Sequence, residues 1–142
     1  MRRLLAFLNL WFPLAVYVGF IYFLSSRSRI EWARQFPDVF LHAGEFFVLA
    51  LLVIRALNGG LLIPMLSRCY LWTFVLCSHY AMLDEIHQAL VPGRVSSMID
   101  FLSDTVGIDL ALALVYALQR ALARRRIGEG RTVAAPVPGR AG

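Results

Sequence analysis

The sequence predicts an all-α, polytopic membrane protein: a bundle of four transmembrane helices with both termini in the cytoplasm. Of its 142 residues, 59% are hydrophobic, and the mean hydropathy of +0.66 is well above that of ordinary soluble domains. Four apolar stretches are each long enough to cross a hydrocarbon core of roughly 30 Å. The segments between them differ sharply in arginine content, which predicts the orientation.

The first predicted span covers residues 4–24, after Arg2 and Arg3. It is longer than the apolar region of a typical signal peptide and no small-residue cleavage site follows it, so we expect it to remain as a membrane helix. Pro13 should kink this helix, which neighbouring membrane helices can tolerate. The polar segment 25–37 is predicted to be a loop.

The other three spans are apolar stretches followed by turn signals or by basic residues. They are predicted over residues 38–57, 67–90 and 97–118. Asn58-Gly59-Gly60 ends the second span and Pro92-Gly93-Arg94 ends the third. Residues 1–127 therefore form a single transmembrane domain. Residues 128–142 are mostly small residues, proline and arginine, which predicts a disordered cytoplasmic tail.

Arginine placement predicts the orientation of these four spans. The chain contains 14 arginines and no lysine. One side of the predicted bundle collects ten of them, namely Arg2, Arg3, Arg55, Arg68 and the six from Arg120 onward, against four on the other side. The positive-inside rule places the richer side, with both termini, in the cytoplasm. The basic run after the fourth span is expected to face anionic lipid, so the positive charge does not indicate nucleic-acid binding.

Polar side chains gather at the outer end of every predicted span. They are Ser25, Ser26 and Arg27 in the first, Asp38, His42 and Glu45 in the second, Asp84, Glu85, His87 and Gln88 in the third, and Asp100, Asp104 and Asp109 in the fourth. Several lie three, four or seven residues apart, so they share helix faces. Small Ala81 and Gly107 on the same faces would let the helices approach closely. We therefore expect the polar faces to converge.

This polar set, together with Arg94 and Ser97, contains the candidate site residues. Carboxylates with one imidazole suit a divalent cation, and the candidate ligands are His42, Glu45, Asp84, Glu85 and Asp100. The sequence assigns no catalytic residue. The candidates for a catalytic role are His42, Glu45, Asp84, Glu85, Gln88, Asp100 and Asp104. The candidates for substrate binding are Ser26, Arg27, Arg94 and Ser97, of which the two arginines could clamp a phosphate. Solvated helix ends with a few salt bridges are the alternative interpretation.

A specific pattern lies in the second half of the chain. It reads Tyr80-Ala81-x-x-Asp84-Glu85-x-x-Gln88-x-x-x-Pro92-Gly93-Arg94-x-x-Ser97-x-x-Asp100-x-x-x-Asp104-x-x-Gly107. This pattern closely resembles the signature of the VanZ-like family. His42-x-x-Glu45-Phe46 and the pair Ser25-Ser26 are also similar to that family, and the resemblance covers about residues 15–112.

The resemblance implies a multi-pass protein of the bacterial cytoplasmic (inner) membrane. The first-known member of the family lowers susceptibility to the glycopeptide antibiotic teicoplanin. Two positions depart from the pattern: Val39 stands where a lysine often follows the aspartate, and Asp104 stands where asparagine is common. No role that rests on that lysine can be carried over, and the extra carboxylate alters the local charge.

Three functions are compatible with these residues. The first is an intramembrane enzyme or binding site for a lipid-linked or cell-envelope substrate, assisted by a divalent cation. The second is a small transporter or proton-coupled carrier, because intramembrane acids also mark ion pathways. The third is a non-catalytic membrane interaction module. Membrane lipids are expected partners in each case, and self-association into a homo-oligomer stays open.

Overall fold

The computed structural model describes residues 1–27, 38–64, 67–94 and 96–133, with side chains described as far as residue 126. It contains four α-helices: α1 (Arg2–Ser25), α2 (Asp38–Asn58), α3 (Ser67–Leu90) and α4 (Met98–Val133). The all-α prediction is confirmed. Helix α4 includes residues 128–133, for which the composition predicts disorder. Loop residues 28–37 and tail residues 134–142 lie outside the described residues.

Three helices of the described chain are long and apolar enough to cross a membrane: α1, α2 and the Met98–Arg126 part of α4. The chain is therefore a multi-pass membrane protein. Helix α3 has 24 residues and is roughly 36 Å long. It is less apolar because it carries Asp84, Glu85, His87 and Gln88 near its end. The same residues that mark the predicted site thus keep α3 below the hydropathy of a typical span.

Helix α2 lies at the centre of the bundle and packs against all three other helices, most extensively against α4. The buried core combines side chains from every helix, namely Ile21, Phe46, Leu49, Ala50, Val53, Cys77, Ala81, Ile108 and Ala111. Large apolar residues such as Phe12, Leu83 and Leu110 instead point outward and are exposed. An apolar exterior of this kind is what a lipid environment requires.

The closest approach of α2 and α4 occurs at Gly107. A Cβ built on Gly107 would collide with the backbone of Ala43 in α2. Small residues allow membrane helices to pack backbone to backbone in this way. Gly107 therefore fixes the distance between the two helices that carry His42 and Asp100.

Replacing Gly107 with alanine is expected to destabilise the bundle by about 1–3 kcal/mol, because the added methyl group must push α4 away from α2. Thermal unfolding in detergent would measure this as a lower Tm. Gly44 is the matched control, since a Cβ there meets nothing within 4 Å. Equal Tm values for Gly107→Ala and Gly44→Ala would contradict the packing described here.

A tight turn directs the chain from α3 towards α4. The amide of Arg94 donates to the carbonyl oxygen of Val91 at 3.1 Å, and Gly93 has a φ of +82°. Pro92 and Gly93 therefore occupy the two central positions favoured by a type II turn. The turn brings Arg94 back to α1, where its Nη2 donates to the carbonyl oxygen of Leu24 at 3.3 Å.

Candidate functional site

Three side chains from three helices converge where α1 ends, α2 begins, α3 ends and α4 begins, which we call the site end of the bundle. His42 of α2, Glu85 of α3 and Asp100 of α4 each offer one ligand atom, and these atoms lie within 4.8 Å of one another. His42 and Glu85 are buried, and Asp100 is partly exposed. Three of the five predicted cation ligands thus come together; Glu45 and Asp84 are not in this group.

His42 is held in place by Asp104 on the neighbouring helix. The Nδ1 atom of His42 lies 3.1 Å from Oδ1 of Asp104, whose side chain is fully buried. Because an ionised carboxylate only accepts hydrogen bonds, Nδ1 donates and Nε2 is left to bind a ligand. Carboxylates orient metal-binding histidines in this way in many proteins. The second oxygen of Asp104, Oδ2, is buried and has no partner among the described residues.

Glu85 is fixed by the segment that precedes α4. Its Oε2 accepts hydrogen bonds from the Ser97 amide at 2.9 Å and from the Ser96 hydroxyl at 3.0 Å. Ser97 is also the N-cap of α4, since its hydroxyl accepts from the amide of Ile99 at 3.1 Å. The other oxygen, Oε1, is buried and has no partner in the described part of the chain. One oxygen of Glu85 therefore positions the side chain while the other stays available.

Asp84 belongs to a different group, although it is adjacent to Glu85 in sequence. Neighbouring helical residues point about 100° apart, and Asp84 faces α1 while Glu85 faces α4. Asp84 accepts from the Ser25 hydroxyl at 2.6 Å and from the Gln88 amide at 2.7 Å. Both carboxylate oxygens are thus occupied. These three residues are buried and join α1 to α3.

The hydrogen bond from Ser25 to Asp84 allows a direct test of whether this second group is separate from the cation ligands. In Ser25→Ala, Asp84 would lose one hydrogen bond in a buried position, at a cost of about 1–3 kcal/mol. We expect a lower Tm in detergent and unchanged cation binding. Ser103→Ala is the control, because the Ser103 hydroxyl donates only to Ile99 of its own helix among the bonds described, at 2.7 Å. A loss of cation binding in Ser25→Ala would contradict the separation of the two groups.

The remaining substrate-binding candidates lie around the end of α1. The Ser26 hydroxyl donates to the Tyr22 carbonyl at 2.7 Å and lies 2.9 Å from Nε2 of His87. Arg27 is exposed, with its guanidinium 4.2 Å from the centre of the Phe23 ring. Arg94 is partly exposed, and its Nε is buried without a partner among the described residues. Arg94 therefore retains an N–H donor for an anion.

Glu45 is partly buried and interacts electrostatically with His42, Asp84, Asp104 and Arg94. Asp109 is exposed and lies further along α4. Among the described residues, the electrostatic interactions around His42, Glu45 and Asp104 join five carboxyl groups with one guanidinium and one imidazole. Charges of one sign repel strongly at such short range, particularly away from water. A divalent cation would compensate this excess of negative charge.

The pattern of the chain also matches a family of known proteins. The VanZ/LLP1 family model matches residues 6–119, which is most of the chain. This chain belongs to the VanZ/LLP1 family. The resemblance noted in the sequence is thereby confirmed. No curated protein and no solved structure matches the chain.

In this VanZ/LLP1 protein, a groove runs beside Glu85 between the end of α3 and the start of α4. Its volume is about 400 Å³. Glu85, Ser96 and Ser97 form its polar part, and the rest of the lining is apolar: Met82, Ile86, Ala89, Leu90, Met98 and Phe101. The groove thus has a polar edge that includes the candidate cation ligand Glu85, with an apolar wall beside it.

Two residues that hold carboxylates at the site end of this VanZ/LLP1 protein were not among the candidate site residues. Ser25 belongs to the polar set at the outer end of the first span, and it lies four residues after buried Ile21 and so shares its face. That spacing could have identified it. Ser96 lies outside any helix, where periodicity gives no signal, and its contact with Glu85 depends on the turn after α3.

Proposed function

We propose that this protein spans the membrane four times, binds a divalent cation through His42, Glu85 and Asp100, and hydrolyses a phosphate group from a lipid-linked substrate, with water as the attacking group and inorganic phosphate as the product. The convergence of these three ligand atoms within 4.8 Å carries the proposal. The buried Oε1 of Glu85, which has no hydrogen-bond partner among the described residues, supports it independently. A buried carboxylate oxygen without a partner is costly and calls for a ligand.

Helix α3 is the span that we add to the three apolar candidate spans, α1, α2 and α4. Its polar residues Asp84, Glu85 and Gln88 are buried against other helices, so they do not face lipid. With four spans, the arginine distribution supports an orientation with both termini in the cytoplasm and the site end at the outer face. This arrangement gives the site access to substrates in the outer leaflet.

The donor set fits a divalent cation. One imidazole with carboxylates suits Mn²⁺ or Zn²⁺ better than Ca²⁺, which prefers oxygen ligands alone. A bound cation of this kind polarises a phosphate oxygen and activates water. Arg94 would bind the phosphate through its Nε–H, which has no partner within the described part of the chain. Glu45, which interacts with His42 but lies outside the ligand group, is the carboxylate available as a general base.

The groove between α3 and α4 supports a lipid-linked substrate. Its polar edge contains Glu85, and its apolar wall includes Ile86, Leu90 and Phe101. An amphipathic molecule would satisfy both parts, with its phosphate at the cation ligands and its hydrocarbon portion against the apolar side chains.

The proposal is tested by phosphate release from purified protein in liposomes. The substrates are polyprenyl phosphate and polyprenyl diphosphate, assayed with Mn²⁺ and with EDTA. We expect release of inorganic phosphate that requires Mn²⁺ and falls at least about 100-fold in His42→Ala. Asp109→Asn is the control and should keep full activity, because Asp109 is exposed and outside the ligand group. Release that persists in EDTA, or no release from either lipid, would overturn the proposed reaction.

A further inference from the structure

A second, purely apolar feature lies deeper in the bundle, away from the polar site. It is a crevice of about 200 Å³ between α1, α2 and α3. Its walls include Trp11 and Val18, Leu49 and Leu57, and Leu76 and Tyr80. On each helix the lining residues follow helical spacing, so they form stripes along one face. The crevice therefore runs parallel to the helices, for roughly 10 Å along α1.

Hydrogen bonds connect α1 to α2 and α3 at both ends of this crevice. Towards the site end, the Tyr80 hydroxyl donates to the Val18 carbonyl at 2.8 Å, and Ser25 binds Asp84. Towards the opposite end, Arg55 donates to the backbone carbonyl of Asn9 at 2.9 Å and to its side chain at 3.1 Å. The crevice lies between these two sets of hydrogen bonds, near the middle of α1.

Water is a poor occupant of this crevice. A buried water needs two to four polar partners. The hydroxyl of Tyr80 already donates to Val18, and Cys77 offers only a weakly polar thiol. The other lining side chains are hydrocarbon apart from the Trp11 indole N–H. The crevice thus favours an apolar occupant over water.

The crevice opens towards lipid. Trp11 and Leu76 line it and are both exposed, on α1 and α3 respectively. Since α1 and α2 are candidate membrane spans, a mouth at this depth faces the hydrocarbon core. A crevice of about 200 Å³ that runs for roughly 10 Å has a mean cross-section of about 20 Å², far smaller than that of a helix about 10–12 Å across. An extended hydrocarbon chain is thin enough and already runs along the bundle axis in a bilayer.

We infer that this crevice is a binding site for one alkyl chain of a membrane phospholipid. The site is separate from the proposed catalytic site and does not depend on it. The bound chain fills the space between α1 and α3 below the contact of Tyr80 with Val18. It completes packing that the protein side chains leave open.

Photo-crosslinking tests this site. The full chain is placed in vesicles of phosphatidylethanolamine and phosphatidylglycerol that contain a phosphatidylethanolamine with a mid-chain diazirine, and adducts are mapped by mass spectrometry. We expect severalfold more adducts at Leu14 and Leu76, which line the crevice, than at Leu114, an exposed residue of α4. Val53→Phe should fill the crevice and reduce the lining adducts severalfold, leaving those at Leu114 unchanged.

Val48→Phe is the matched control, because Val48 lies on the same helix but is 39% exposed, whereas Val53 is 7% exposed. If Val53→Phe does not fold, Leu76→Trp narrows the mouth of the crevice from an exposed position and should have the same effect. Equal adduct yields at crevice residues and at Leu114, or the same yields in the filling variants and in Val48→Phe, would overturn the inference. Crosslinks to a second copy at the lining residues would overturn it in favour of a protein occupant.

Discussion

Replacing Glu85 with glutamine is expected to lower the affinity for Mn²⁺ by more than about 100-fold, because loss of a residue that only orients a ligand already costs 10–100-fold. The amide oxygen can still accept from Ser96 and Ser97, as Oε2 does in the native protein. The charge that attracts the cation is lost, however. Isothermal titration of the detergent-purified protein with Mn²⁺ measures the change.

The fold should survive this substitution. A glutamine at position 85 has the same shape, and it removes one buried carboxylate from a site that holds five carboxyl groups. We therefore expect the Tm of the cation-free protein to stay the same or rise. Asp109→Asn removes an exposed carboxylate of α4 and should bind Mn²⁺ as the native chain does. Unchanged Mn²⁺ affinity in Glu85→Gln would show that Glu85 is no ligand.

Asp104→Ala is expected to weaken Mn²⁺ binding by about 10–100-fold without removing a ligand. Asp104 accepts a hydrogen bond from Nδ1 of His42 at 3.1 Å and so leaves Nε2 as the nitrogen that can bind a cation. Without this acceptor, the imidazole can rotate or change tautomer. The buried Nδ1–H also loses its partner, which should cost about 1–3 kcal/mol of folding stability.

Asp104→Asn separates the hydrogen bond from the charge. The amide oxygen of asparagine can still accept from Nδ1, so we expect most of the Mn²⁺ affinity to return. Ser103→Ala, at the adjacent position of α4, is the control for disturbance of the helix and should leave affinity unchanged. If asparagine weakened binding as much as alanine does, the charge of Asp104, and not its orientation of His42, would be the important property.

Much of the architecture could be predicted from the sequence because membrane helices carry a strong signal. The predicted span 38–57 differs from α2 by one residue, and the predicted span 67–90 coincides with α3. The convergence of His42, Glu85 and Asp100 followed from their common depth and helical spacing. The depth of a residue in the membrane can be inferred from the sequence when the span has a fixed length and its polar residues cluster at one end.

The different partners of Asp84 and Glu85 could not be predicted in the same way. Both acids lie on one helix and at one depth, and only the positions of α1 and α4 around α3 decide which partner each meets. The role of Ser97 as the N-cap of α4 likewise depends on where that helix begins. Residue spacing along one helix does not specify how the neighbouring helices are arranged around it.

Electron paramagnetic resonance of bound Mn²⁺ tests the central claim most directly, because electron spin-echo modulation detects a nitrogen atom that coordinates the metal. We predict one Mn²⁺ per chain, with coupling to a single imidazole nitrogen that disappears in His42→Gln and persists in His79→Gln, which alters an exposed histidine of α3. A chain that binds no stoichiometric Mn²⁺, or one that keeps the nitrogen coupling in His42→Gln, would contradict a cation site built from His42, Glu85 and Asp100.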